Sequence, residues 1–377
     1  MEDLNEGMII NGDAIEELER LPAGIADLIF ADPPYWMRTE GRLVRVEGTA
    51  FDGCDDGWDQ FGSLEEYEEF TEKWLLACRR ALKPTGSIWV IGGMQCIYTI
   101  GSIMQRLGFW IINDVVWHKR NPTPNFKGTR LNNSHETMIW ASREKGARFT
   151  FHYKTAKELN ADAVSPEEYS RGVRKQMGSV WRFPVCSGDE RLRDENGGKL
   201  HSTQKPLAML KRIVAISSNV GDVVLDPFAG TMTTGAAAKE LGRKYIMIER
   251  DKKYCEHGRN RLDGLFEFMD DGPVARAAYD EKPPRAPLRD MIAAGFLTAG
   301  EWFCLEGKGR VATLKENGRL CYGGEEADIH SCAARALGLK APKVNGFDRW
   351  LVERDGAMVP ISRIRDDFRK ASLAGGK

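Results

Sequence analysis

Residues 223–234 read VVLDPFAGTMTT, and their reading decides the fold. Val223–Leu225 is a short apolar run, expected as a buried strand. A turn of small residues follows. An alanine-rich helix then runs from about Thr233 to Leu241 and is stopped by Gly242. Tyr245–Ile248 is the next strand, and it delivers Glu249 to its end. A strand, a tight turn and a helix make a binding site for a nucleotide-like ligand. An acidic residue at the end of the next strand can accept hydrogen bonds from ribose hydroxyls. The plain alternative is a strand–turn–helix corner with a surface glutamate, and the turn alone leaves both open. The turn is not GxGxxG, and Asp-Pro-Phe fills the place where a pyrophosphate needs free backbone N–H groups. The expected ligand is therefore a nucleoside without phosphates, S-adenosylmethionine and not NAD.

Outward from this stretch, strand and helix signals alternate. Ala26–Ala31 (ADLIFA) is a second buried strand. Ser63-Leu64-Glu65-Glu66 forms a capping box, after which Leu64, Tyr67, Phe70, Trp74, Cys78 and Leu82 recur at helical spacing. Pro84-Thr85-Gly86 ends that helix. Ile88–Ile91, Trp110–Trp117 and Thr137–Ala141 read as strands, and Lys205–Ser217 as a helix. Such alternation predicts an α/β fold with a mostly parallel sheet covered on both faces. Ligands then sit outside the carboxyl ends of the strands.

One of those ends is Asp32-Pro33-Pro34-Tyr35, directly after ADLIFA. Two prolines fix their own φ angles and hold the preceding residues extended. The Asp32 and Pro33 carbonyls become rigid acceptors, the Asp32 carboxylate adds another, and Tyr35 offers a flat face. This set suits an exocyclic amino group on a flat heterocycle. Two acceptors can pull the nitrogen towards a tetrahedral shape and aim its lone pair at an electrophilic methyl. A proline-rich turn ending a strand is the bland alternative, but two such motifs on two strand ends make coincidence a poor account.

Composition supports a globular protein. The chain has 377 residues, 42% hydrophobic and 29% charged, which excludes a disordered chain, a collagen-like repeat and a coiled coil. No run of about 18 apolar residues occurs, so no membrane-spanning helix is expected. The acidic N-terminus does not resemble a secretory signal. Eight scattered cysteines include no CxxC pair, which argues for buried, reduced thiols and against a zinc ribbon. No metal site is expected, since one His and one Glu in His135-Glu136-Thr137 are too few ligands.

The net charge of −1 hides strong segregation. Residues 1–118 carry 9 basic and 21 acidic side chains, whereas residues 119–215 carry 19 and 10. The basic block lies between the two strand-end motifs and is a candidate for phosphate contacts through Lys119, Arg120, Lys127, Arg130, Arg171, Arg174 and Lys175. For each, a solvated charge is the plain alternative. The stretch 270–289 holds four prolines and reads as a linker. The expected domains are 1–269, with a basic recognition region at about 119–200, and 290–377.

With these motifs in place, the chain resembles the amino-group DNA methyltransferases that use S-adenosylmethionine. DPPY resembles their catalytic motif and DPFAG their cofactor motif. The order, with the basic block between them, is similar to the beta group. Trp117 to Trp140, including Asn121–Arg130 and His135-Glu136-Thr137, resembles the methylases specific for GANTC, both the HinfI-type modification enzymes and the CcrM enzymes. The stretch 36–59 is closer to the HinfI type. Ile329-His330 and Asn345-Gly346 are similar to the small C-terminal domain that these enzymes use on DNA. Two departures stand out. Met232 replaces the second glycine of the usual DPFxGxGTT, where a side chain is expected to crowd the cofactor or restrict the backbone. Phe347 replaces a family Trp.

The resemblance implies a Rossmann-like methyltransferase sheet with an inserted recognition region and a small C-terminal domain. It implies transfer of a methyl group from S-adenosyl-L-methionine to adenine N6 in double-stranded DNA, with the base flipped out of the stack. Asp32, Pro33, Pro34 and Tyr35 are then catalytic. The cofactor set is Asp13, Ala14, His201, Ser202, Thr203, Gln204, Lys205, Asp226, Pro227, Phe228, Ala229, Gly230, Thr231, Thr233, Glu249 and Arg250. The DNA set is Lys119, Arg120, Asn125, Lys127, Arg130, His135 and Asn345. Trp58 is a loop anchor, a wedge or core. The resemblance further implies a homodimer working on DNA in a bacterial or phage-like cytoplasm, without a membrane partner, in restriction protection or cell-cycle methylation. Cytosine-N4 methylation and a DNA-binding relative without catalysis are the alternatives.

Overall fold

Alternate side chains of the central strands face opposite ways, and this sorts the main core into two halves. Leu28, Phe30, Trp89, Ile91 and Val224 join one buried cluster, while Ile29, Ala31, Ile88, Val90 and Leu225 join the other. Strands buried on both faces read as continuous apolar runs, as ADLIFA does. Each large side chain so buried contributes roughly 1.5–3 kcal/mol.

These strands belong to a computed structural model that describes residues 7–36, 43–44, 50–51, 61–122, 124–125, 128–160, 163–193, 197–198, 200–201, 203–265, 285–305 and 309–374. Cys54, Trp58, Lys127 and Ser202 lie outside these. The chain divides into two compact units, residues 1–280 and 281–377.

The first unit holds β1 (Gly7–Asn11), α1 (Ala14–Arg20), β2 (Ala26–Ala31), a short ribbon of β3 (Leu43–Val44) and β4 (Ala50–Phe51), and α2 (Leu64–Ala81). It continues with β5 (Leu82–Gly92), α3 (Ile97–Arg106), β6 (Trp110–Lys119), β7 (His135–Ser142), α4 (Tyr153–Glu158), α5 (Pro166–Ser170) and β8 (Val180–Phe183). It ends with α6 (Leu207–Ser217), β9 (Val223–Asp226), α7 (Thr233–Glu240), β10 (Lys244–Glu249) and α8 (Lys252–Asp263). Eight strands form one sheet in the order β1-β10-β9-β2-β5-β7-β6-β8. Five of its pairings are parallel, and β7 runs antiparallel to both β5 and β6. The sheet is mostly parallel, with helices α1–α3 on one face and α4 and α6–α8 on the other.

The local signals explain the elements. Ser63 caps α2 by accepting from the Glu66 amide, and Glu66 reaches back to the Gly62 amide at 2.7 Å. The helix stops at Ala81, and β5 starts at once, because Pro84 disfavours a helical Lys83. One expectation is corrected here. The basic segment 119–200 is not wholly an insertion, since β7 lies in the middle of the sheet and β8 at its edge. The segment between β7 and β8 carries α4 and α5, and Ala156 of α4 is buried in the core on one face of the sheet.

Met232 stands where the sequence pattern leads one to expect a glycine. Its backbone is left-handed, at φ 59°, as a glycine replacement would suggest. Its side chain is fully buried in the same cluster as Ala236, Ala237 and Leu262. Space for it exists because residue 258 is glycine: a Cβ there would lie 2.2 Å from Met232 Cγ. Gly258→Ala is therefore expected to cost about 1–3 kcal/mol of stability. Thermal melts should show that Met232→Gly in the same chain recovers part of the loss, and strictly additive losses would refute this pairing.

The second unit is an antiparallel six-stranded sheet with three helices. Its strands follow β10 in the chain: β11 (Trp302–Leu305), β12 (Gly309–Leu314), β13 (Leu320–Tyr322), β14 (Glu325–Ala327), β15 (Trp350–Arg354) and β16 (Ala357–Pro360), ordered β14-β13-β12-β11-β15-β16. Its helices are α9 (Leu288–Ala293), α10 (Ile329–Leu337) and α11 (Ile361–Ala374). Phe303, Leu314, Cys332 and Trp350 are among its buried core. Ala286 and Leu288 are buried there too, so this unit begins inside the stretch expected as linker. The two halves of the Ile329-His330 and Asn345-Gly346 pattern touch: the Gly346 amide donates to His330 Nδ1 at 3.0 Å. A Cβ on Gly346 would meet the Ile329 carbonyl oxygen at 2.2 Å, so only glycine fits.

Among the described residues no helix is long and apolar enough to cross a membrane. The described cysteines are free thiols, and all but Cys321 are buried.

Candidate active site

The carboxyl ends of β2, β9 and β10 converge on a cavity of about 690 Å³. The amino end of the hairpin strand β7 and the carboxyl end of β6 lie along the same edge of the sheet, because β7 is reversed. Distant segments are tied together there. Asn11 at the end of β1 donates to the Glu249 and Arg250 carbonyls at 3.0 and 2.9 Å. Gly12, Asp13 and Ala14 thereby face Glu249, Arg250 and the DPFAG turn across the cavity.

The turn after β9 is organised by its own aspartate. Asp226 accepts from the Phe228 amide at 2.9 Å and from the Thr234 hydroxyl at 2.6 Å. Burial pushes its carboxyl up to about 7. Its folded pKa lies above its ordinary value of 3.8, so the stability it contributes is full below that value and is lost as pH rises through about 7. Asp226→Asn is expected to flatten that part of the stability profile between pH 4 and 8. Melting curves of parent and variant that stay parallel over this range would disprove it.

Gly230 takes φ 49°, and a Cβ there would lie 3.3 Å from His201 Nε2. The Gly230 amide donates to Glu249 Oε2 at 2.8 Å and the Asp251 amide to Oε1 at 2.7 Å. Burial raises the Glu249 carboxyl. Asp13 caps α1, accepting from Ile15 and Glu16 amides. Gln204 is buried and staples its segment, donating to the Glu190 carbonyl and accepting from the Leu192 amide. Pro227, Phe228, Ala229, Thr231, Thr233 and Thr203 line the cavity beside these groups.

The other end of the cavity holds the Asp32–Tyr35 strand end. Pro33 and Pro34 line it, and the Tyr67 hydroxyl donates to the Pro34 carbonyl at 2.9 Å. The backbone turns left-handed at Trp36, φ 52°, a rare angle for a bulky residue. Trp36 is held there by its indole N–H to the Phe61 carbonyl at 3.1 Å and by stacking on Tyr67.

Four charged groups surround the Asp32–Tyr35 corner. Lys205 Nζ donates to Asp32 Oδ2 at 2.6 Å and lies 5.3 Å from the Tyr35 ring centre. Asp32 Oδ1 is buried and has no hydrogen-bond partner among the described residues. The Tyr35 hydroxyl donates to Glu136 Oε2 at 3.1 Å, and Lys119 donates to Glu136 Oε1 at 2.7 Å. Burial pushes the Asp32 carboxyl above its ordinary value, and Lys205 pulls it back. Burial works against the Glu136 charge as well, but Lys205 and Lys119 hold its carboxyl below the usual range. Burial beside two carboxylates lifts the Tyr35 phenol well above its ordinary value, so the phenol stays a neutral donor.

The arrangement redistributes roles expected from the sequence. Lys205 meets Asp32, not only the cofactor end of the cavity. Lys119, expected on phosphate, is mostly buried and paired with Glu136. Arg120, Arg130 and His135 are exposed around the loop that joins β6 to β7, at the same edge as the cavity, and Asn125 lies in that loop half-buried. Arg171 and Lys175 are exposed, while Arg174 pairs with Glu158 at 2.7 Å. Asn345 belongs to the second unit and donates to Asp348. Sequence reading missed Glu136 as a partner of Tyr35. The signal was present: Trp117 pairs across the hairpin with Glu136, which puts Lys119 on the neighbouring diagonal. Phe30, Phe61, Glu66, Phe70 and Tyr254 also line the cavity without having been singled out for it.

Comparison with known proteins supplies relatives for this arrangement. A family model described as DNA methylase, covering N6 and N4 methylases, matches residues 26–260. The chain is 44% identical to the type II methyltransferase M.HinfI of Haemophilus influenzae over 369 residues, 97% of this chain and 98% of that one. It is 36% identical to the type II methyltransferase M2.DpnII of Streptococcus pneumoniae over 261 residues, 69% of this chain and 90% of the other. Among solved structures, PvuII DNA methyltransferase (cytosine-N4-specific) shares the fold with a TM-score of 0.51 at 17% identity, over 73% of this chain and 92% of that one.

Proposed function

This chain belongs to the N6/N4 DNA methylase family, and from that premise we propose that it methylates adenine N6 at GANTC sites in double-stranded DNA, with S-adenosylmethionine as donor. The observation that carries the adenine-amino reading is the Asp32 carboxylate. One oxygen is tied to Lys205, and the other is buried without a hydrogen-bond partner among the described residues. A buried acceptor without a partner is costly unless a ligand supplies the donor. An exocyclic amino group does so.

The residues present fit the donor. The cavity is within the size range of small-molecule sites. A side chain at Gly230 would be strained and would crowd His201, and Glu249, which lines the cavity, is the candidate acceptor for ribose hydroxyls. When bound, S-adenosylmethionine supplies an electrophilic methyl that the amino nitrogen takes with its lone pair, while the electron pair of the broken C–S bond stays on sulfur.

The chain's own groups do the rest. Asp32 Oδ1 and the Pro33 carbonyl accept the two amino hydrogens and fix the lone-pair direction. Tyr35 stacks on the flipped base, its ring held by Glu136 through the hydroxyl. The carboxylate stabilises the positive charge that develops on nitrogen, and the surplus proton then passes to solvent. Arg120, Arg130, Asn125 and His135, around the loop that joins β6 to β7, are candidate DNA contacts, and Asn345 of the second unit is a separate candidate. Ser202 and Lys127 keep the roles implied by motif resemblance. We place the protein on cytoplasmic DNA of a bacterium or phage, as a homodimer.

Full-length similarity to M.HinfI and the stretch 117–140 support the GANTC reading. Plasmid incubated with the protein and S-adenosylmethionine should become resistant to a nuclease that cuts GANTC. Complete cutting after stoichiometric cofactor turnover would refute the site assignment.

A further inference from the structure

Lys205 carries an inference that rests on the reading of Asp32 as the amino-group acceptor and deepens it. Its ammonium is almost fully buried, a rare state for lysine unless it is paired. Among the described residues its short carboxylate contact is Asp32 Oδ2, at 2.6 Å, with the Thr203 carbonyl at 3.3 Å as a second acceptor. The backbone beneath it is fixed. Gln204 is stapled on one side, and Pro206 caps α6 on the other. The lysine stem is therefore held rigidly over the strand end.

We propose that Lys205 is a positioning residue for methyl transfer: seated on one oxygen of Asp32, it keeps the buried carboxylate charged and leaves the other oxygen to the substrate amino group.

The alternative charge state would fail chemically. A protonated Asp32 would lack the negative charge that stabilises the positive charge developing on nitrogen, and a proton on Oδ1 would meet the amino group donor to donor. Burial drives Asp32 towards that state. The groups facing it are Lys205 before α6, Tyr35 on its own strand end, Glu136 on β7, Cys96 before α3 and Asp226 at the end of β9. Lys119 on β6 is spent on Glu136. Glu136 pushes the Asp32 carboxyl further up, which leaves Lys205 as the cation that opposes burial. Asp32 and Glu136 in turn hold the Lys205 ammonium above the ordinary lysine value, although its own burial works the other way.

The test compares Lys205→Met, Lys205→Gln and Lys205→Arg. In single-turnover methylation, the acid limb of the rate profile should move up by about 1–3 pH units in the two uncharged variants. Lys205→Arg should keep the limb near the parent's position. A merely structural lysine would lower the rate at every pH without moving the limb, and that outcome overturns the proposal. A second readout needs no cofactor or DNA. Infrared spectra of the unloaded protein at neutral pH should gain a protonated-carboxyl band in Lys205→Met that disappears in Lys205→Met with Asp32→Asn. Absence of that band in folded Lys205→Met overturns the proposal. Failure of the parent protein to methylate adenine would instead overturn the functional reading, whatever the infrared result.

Discussion

Asp32→Asn should lower single-turnover methyl transfer by about 10²–10³-fold and leave cofactor binding in place. Asparagine is the informative substitution because of Lys205. Both variants remove the anion of a buried ammonium, but alanine removes its hydrogen-bond acceptor and the side-chain volume as well, which adds a loss of stability that confuses the result. Asparagine keeps the shape. Its amide oxygen turns to the Lys205 ammonium, which sits where Oδ2 was. The amide NH₂ is then forced into the place of Oδ1 and meets the substrate amino group donor to donor. A rate within tenfold of the parent's would contradict this account. Loss of cofactor binding would show that the amino-group pocket lies elsewhere.

Glu136→Ala should destabilise the protein by about 3 kcal/mol, because it leaves Lys119 mostly buried without an anion. For a unit of this size that is a fall of roughly 6–12 °C in Tm. It also removes the acceptor of the Tyr35 hydroxyl, so the rate should fall with stability. Glu136→Gln keeps an acceptor for Tyr35 but not the charge, and should fall between parent and alanine variant. Calorimetry on the three proteins checks the order. A Glu136→Ala protein melting with the parent would mean that Lys119 reaches water and that the network is not buried in solution.

The chemistry of the two strand ends was legible because it is local. Asp32-Pro33-Pro34-Tyr35 and Asp226-Pro227-Phe228-Ala229-Gly230 each carry a backbone constraint and a functional group within a few residues. The alternation of strands and helices was equally local, and it yields the parallel sheet and the edge where ligands bind. What escaped was pairing across the fold. Lys205 and Asp32 are 173 residues apart in sequence, and nothing in HSTQKP says which carboxylate the lysine meets. Lys119 was read as a phosphate contact because the hairpin partner of Trp117 was not assigned. Once β6 and β7 are paired, Lys119 turns from the DNA side to Glu136.

Met232 illustrates a different limit. Its backbone angle follows from the glycine it replaces, but the direction of its side chain depends on the absence of a Cβ at Gly258, on another helix. Charge segregation remains informative at a coarser level. The basic block does supply the loop that joins β6 to β7, with Arg120 and Arg130 exposed in it, although Lys119 and Arg174 are spent on internal pairs.

The central claim is that the Asp32–Tyr35 corner takes the amino group of adenine. Digestion of treated DNA to nucleosides, followed by mass spectrometry, tests it most directly. The account predicts N6-methyldeoxyadenosine as the new nucleoside, formed by the parent protein and absent with Asp32→Asn; N4-methyldeoxycytidine in its place would contradict it.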